Sequence, residues 1–234
     1  MNPMKPEQLQ KHITGTYISL RYGLIAIAVA FPLILWLGGH LRQGLPLQGS
    51  LSSYYHSSMR DVFVGALFGI SACLYFYKGY SALENIALNL AGIFAVGVAV
   101  FPMEWTFENA CVTFTWGKAH GVCAFLSFAC IAVVCWFCAS DTLSEMEDKK
   151  RVKKYKIIYK LLGILMVLSP AIAIFLTTVL QYDRPNKSIV FFVELAAMYV
   201  FAAYWLVKSR EIKATNAEQK AVERKLELQS LTSN

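Results

Sequence analysis

A few residues that could do chemistry stand out in a chain otherwise short of ionisable groups. Ser52, His56, Arg60 and Asp61 crowd within about ten residues in SLSSYYHSSMRD, just before an apolar run. His120 opens another apolar run, and Glu194 lies inside a third, in FFVELAAMYVF. Imidazoles and carboxylates together can hold a divalent metal such as zinc. A metal-bound water could then attack an ester or amide in a lipid. On that reading His56 and His120 are the metal ligands, and Ser52, Asp61 and Glu194 serve the reaction. The same groups could instead relay protons or bind a cation during transport. Each also has a structural reading. Glu194 could be a carboxyl hydrogen-bonded to a neighbouring helix, His120 a helix-mouth histidine, and Arg60 with Asp61 an interfacial anchor and its partner.

The elements that position these residues are apolar and long. Hydrophobic residues make up 56% of the 234 and charged residues 16%, with mean hydropathy +0.46. A soluble domain carries more charge than that. Six runs approach the roughly 20 residues a helix needs to cross a hydrocarbon core. They cover Gly23 to Gly39, Val62 to Tyr77, Ile86 to Met103, Gly121 to Ala139, Ile157 to Leu180 and Ile189 to Val207. The expected fold is an all-α integral membrane bundle of six transmembrane helices over residues 1–207. A polar, partly helical tail over 208–234 follows. The first apolar run begins after about twenty polar or mixed residues and no small-residue cleavage site follows it, so no cleavable signal peptide is expected.

Loop charges orient the bundle. With the N-terminus cytoplasmic, seventeen of the 22 Lys and Arg fall in cytoplasmic segments and five outside. The positive-inside rule therefore puts both termini in the cytoplasm of a bacterial inner membrane. The net charge of +7 is explained by this topology, and no nucleic-acid module is present. Membrane lipids are the expected partners, with a lipid or small molecule as ligand. The basic run from Lys149 to Lys160 is expected to lie on anionic headgroups.

In that topology His56, Arg60, Asp61, His120 and Glu194 all map to the outer half. Glu194 lies roughly 9 Å inside the outer end of its span. Glu104, Glu108 and Asp183 belong to outer loops. The inner halves carry few ionisable groups, which argues against a polar transport path. Packing signals are the GxxxG of Gly65 and Gly69 and the small residues Ala91, Gly92, Ala95, Gly97 and Ala99. Pro32 and Pro170 should bend the first and fifth spans. Thr142-Leu-Ser-Glu145 fits a capping box that would start a short helix. Cys135 and Cys138 form a CxxC without a second pair, read as packing. Cys111 and Cys123 could pair in an oxidising compartment.

Three stretches, SSYYHSSMRDVFVGALFGISACLYFYKGY, ENIALNLAGIFAVGVAVFP and FFVELAAMYVFAAYWLVKS, resemble a family of small bacterial multi-pass membrane proteins. That resemblance implies a membrane bundle and no particular activity. Ser52-x-x-x-His56 with Asp61 also looks like the opening motif of the membrane hydrolases that include alkaline ceramidases and adiponectin-type receptors. The resemblance implies a zinc site, with His56 a ligand and Ser52 and Asp61 beside the metal-bound water. This chain departs from the pattern. It has six spans rather than seven, lacks the late HxxxH, and brings Asp61 closer to His56. His120 and Glu194 would have to substitute. The function classes that follow are a membrane-embedded metal-dependent lipid hydrolase or lipid-binding protein, a small-molecule or ion transporter or channel subunit, and a non-catalytic membrane scaffold.

Overall fold

The computed structural model describes residues 6–103, 117–180, 188–216 and Lys220. They are all-helical, without a strand among them. The elements are α1 (Pro6–Gln43), a 3-10 turn (Ser52–His56), α2 (Arg60–Phe76) and α3 (Ala82–Val100). Then come α4 (Gly117–Val133), a π-helical segment (Val134–Cys138), α5 (Ala139–Leu143), α6 (Lys149–Thr178) and α7 (Ile189–Thr215). Five helical stretches are long and apolar enough to cross a membrane: Lys11–Gln43, Ala82–Val100, Lys118–Leu143, Lys149–Thr178 and Ile189–Thr215. α2 has 17 residues and spans about 25 Å.

The helices close into a ring. α1 packs on α2 and α7, α3 on α2 and α4, and α6 on α4 and α7. Contacts between helix ends fix their directions: Phe101 O after α3 meets His120 near the start of α4, and Leu51 N–H before α2 meets Glu194 near the start of α7. One end of the ring therefore collects the C-terminal ends of α1 and α3 with the N-terminal ends of α2, α4 and α7. The interior is apolar at mid-height: Leu24, Phe31, Phe63, Leu88, Met166 and Phe201 are all buried. Outward-facing Ile93, Ile157, Leu161, Phe175 and Phe192 are more than half exposed, as a bundle solvated by lipid requires.

Helix ends follow local chemistry. Gly44, at φ 63°, ends α1, and its N–H donates to His40 O at 2.8 Å. Only a residue without a Cβ adopts that conformation at no cost. The capping box that operates is Ser81–Glu84, not Thr142–Glu145. Ser81 Oγ accepts from Glu84 N–H at 3.3 Å and Glu84 Oε2 accepts from Tyr80 N–H at 2.8 Å. Thr142 instead falls near the C-terminal end of α5, and Asp148 caps α6 by accepting from the N–H groups of Lys150 and Arg151.

Packing follows the small residues expected in α3 rather than Gly65 of the GxxxG. At Gly92 a Cβ would lie 2.9 Å from the Ser71 carbonyl oxygen. Ser71 Oγ donates to Gly92 O across the same seam at 2.8 Å. Gly65 of the GxxxG faces open space. Pro32 and Pro170 lie within continuous helices. Cys135 and Cys138 are buried free thiols in the π segment. Cys111, Glu104, Glu108 and Asp183 lie outside the described residues. The tail boundary expected at Val207 falls inside α7, whose Lys208, Ser209, Glu211, Ile212 and Thr215 are buried. Beyond Asn216 only Lys220 is described, paired with Glu145 at 3.2 Å.

Candidate functional site

At the end of the ring that collects the N-terminal ends of α2, α4 and α7, the 3-10 turn Ser52–His56 is laid across the mouths of α3, α4 and α7. Leu51 N–H donates to Glu194 Oε2 at 2.5 Å. The first-turn N–H of Phe191 donates to Gly49 O at 2.8 Å, satisfying one of the donors a helix start leaves unpaired. Ser53 N–H donates to Ser50 Oγ at 3.0 Å, and the two hydroxyls lie 2.7 Å apart. The segment is thus fixed to α7 and to itself before Ser52 begins the turn.

Ser52 meets His120. His120 Nδ1 is 2.8 Å from Phe101 O and its Nε2 is 2.9 Å from Ser52 Oγ. A carbonyl oxygen only accepts, so Nδ1 carries the proton. In the neutral imidazole Nε2 then presents its lone pair, and the Ser52 hydroxyl donates to it. His120 is 7% exposed and Ser52 half-buried. This is the arrangement that activates a serine nucleophile: hydroxyl, base, and a third group orienting the base.

The other expected residues are placed differently. His56 is exposed and donates from Nε2 to Met103 O at 3.0 Å. Glu194 binds the backbone just before Ser52. Asp61 is exposed in the first turn of α2 and hydrogen-bonds to neither Ser52 nor His120. Arg60 turns instead to Tyr55, donating to its hydroxyl at 2.9 Å and lying over its ring. Both nitrogens of His120 are taken by protein atoms. Among the described residues no three His, Cys, Asp or Glu gather to hold a metal. What the described residues do bring together is the Ser52–His120 pair.

A second polar cluster lies at the opposite end of the ring, where few ionisable groups were expected. Lys208 Nζ is 3.6 Å from Glu211 Oε2, 3.8 Å from Glu84 Oε1 and 3.0 Å from Thr142 Oγ1. Tyr159 donates to Glu211 Oε2 at 2.9 Å. Nearby, Arg21 donates to the Tyr77 hydroxyl at 3.3 Å. Arg21, Lys208, Glu84 and Glu211 are all at most 2% exposed, and their formal charges cancel. The sequence held a signal: Lys208 and Glu211 stand at i, i+3 where an apolar helix ends. Counting Lys208 as the first residue of a tail concealed it.

No known protein family, curated protein or solved structure matches this chain. Its function therefore has to be read from the two polar clusters and the apolar ring between them.

Proposed function

We propose that the chain is a six-span integral protein of a bacterial inner membrane with both termini cytoplasmic, and that its outer end is a serine-dependent acyl hydrolase or acyl transferase acting on lipid. The six helices of the ring and the excess of Lys and Arg on one side support the topology. Two of the seventeen inner cations, Arg21 and Lys208, are buried, which leaves the bias intact.

The observation that carries the activity is the 2.9 Å contact between Ser52 Oγ and a His120 whose other nitrogen is held by Phe101 O. As Ser52 Oγ attacks an ester carbonyl, its proton passes to Nε2. The imidazolium keeps its Nδ1–H on the Phe101 carbonyl, which stabilises that charge. Nε2 then gives the proton to the departing alcohol oxygen as the ester C–O bond breaks. Water or a second alcohol repeats the sequence on the acyl-serine. The half-buried hydroxyl lies where helix mouths meet the headgroup layer, which suits an acyl lipid.

A second reading, a non-catalytic scaffold, rests on a different observation. Ser52, His56, His120 and Glu194 each bond a group on another element, so the same cluster can serve to hold the helix mouths. A transport path is less well supported. Between Glu194 and Lys208, α7 faces the interior with Ala197, Met198, Phe201 and Ala202, all buried and apolar.

Purified protein treated with a fluorophosphonate probe decides between the first two. A single adduct on Ser52, absent in Ser52→Ala and in His120→Gln, is the expected result. Absence of an adduct, with both variants merely less stable, would replace the hydrolase by the scaffold.

A further inference from the structure

α6 enters the bundle through a run of cations. Lys149, Lys153, Lys156 and Lys160 recur at i, i+4, i+7 and i+11, so they share one face of the helix. All four are exposed. Among the described residues none of them makes an ion pair; the one acid that bonds a cation of this run, Asp148, takes Arg151. Like charges at this spacing repel, and Lys149 stands at the positive end of the helix dipole. Nothing in the described chain compensates the column.

The next residue on that face is Gly163. The Trp136 indole packs onto it so closely that a Cβ there would collide with the ring, and Trp136 Nε1 donates to Lys160 O at 3.3 Å. The π segment turns Trp136 and Phe137 outward, 44% and 63% exposed, while its neighbours Cys135 and Cys138 are buried. Beside the column runs an exposed apolar stripe of Ile157, Leu161, Ile164 and Leu168. Cations from Lys149 to Lys160, an amphipathic indole at Gly163, and the apolar Ile164 and Leu168 beyond it follow the order of charge along a phospholipid standing in the leaflet.

We propose that this seam between α6 and the π segment binds an acidic phospholipid of the inner leaflet. Its phosphate lies on the column of Lys153, Lys156 and Lys160, its glycerol region meets Trp136, and one acyl chain follows Ile164 and Leu168. The charge complementarity selects an anionic lipid, and the shared face makes the site local rather than a diffuse basic surface. The site stands independently of the Ser52–His120 pair.

Native mass spectrometry of detergent-purified protein tests this, with dioleoylphosphatidylglycerol and dioleoylphosphatidylcholine as probes. The phosphatidylglycerol adduct should be retained roughly tenfold or more over phosphatidylcholine. The K153Q/K156Q/K160Q variant should lose that preference. An equal-charge control off the column, K150Q/R151Q/K154Q, should keep it. Equal loss in both variants would show only a diffuse field and overturn the site, as would equal retention of the two lipids. All substituted positions are exposed, and unfolding in phosphatidylcholine micelles checks that each variant is folded.

Discussion

Lys208 and Glu211 stand one turn apart on α7, Nζ to Oε2 3.6 Å, with both side chains at most 2% exposed. Glu84 of α3 approaches the same Nζ at 3.8 Å. Removing the cation leaves two buried carboxylates facing one another, which costs about 3–5 kcal/mol for a broken buried pair. Lys208→Met should therefore unfold at markedly lower denaturant in mixed-micelle titrations. Adding Glu211→Gln should recover part of the loss. A Lys208→Met protein as stable as wild type would mean the pair is not formed.

The α2–α3 seam makes a second prediction. A methyl at position 92 meets backbone, the Ser71 carbonyl, which cannot move aside as a flexible side chain would. Gly92→Ala should cost about 1–3 kcal/mol. Gly65→Ala, which meets nothing, should stay within about 0.5 kcal/mol. Unfolding midpoints of the two variants would read this directly, and reversed ranks would disprove the seam.

Glu194 accepts from Leu51 N–H. Glu194→Gln keeps a carbonyl oxygen there and should be less damaging than Glu194→Ala. Glu194→Ala leaves a part-buried N–H unpaired at about 1–3 kcal/mol. If Glu194→Gln proves as damaging as Ala in thermal unfolding, the charge rather than the acceptor matters.

Tyr54 is fully buried, and burial pushes its phenol above the usual range, partly offset by the Gln48 N–H. The folded state thus holds this proton more tightly than the unfolded chain does. Its contribution is complete below the unfolded pKa of about 10 and is lost as pH rises past it. The melting temperature should fall more steeply above about pH 10 in wild type than in Tyr54→Phe. Parallel curves would remove Tyr54 as a contributor.

Helix content and the apolar runs were legible because lipid-facing helices have to be apolar along their length. Ile189 even marks the true start of α7. The ends were less legible. α1 extends from Pro6, and α7 carries Lys208 and Glu211 inside, because buried charges that cancel look like a polar tail in one dimension. Ser52, His120 and Glu194 were identifiable as unusual groups near one face. Their relation was not, since it depends on the Phe101 carbonyl, and a backbone acceptor leaves no trace in residue type. The GxxxG misled because a small-residue motif does not say which face meets a neighbour.

The closure of the ring by α7 on α1 also orders biosynthesis. α7 leaves the ribosome after the other described helices, yet it supplies the partner for Leu51 N–H at one end and the counter-cation for Glu84 at the other. Until it arrives, the inserted nascent chain holds an open seam between α1 and α6 with a carboxylate awaiting its cation. Each molecule thus passes through an incomplete state, which the docking of α7 ends.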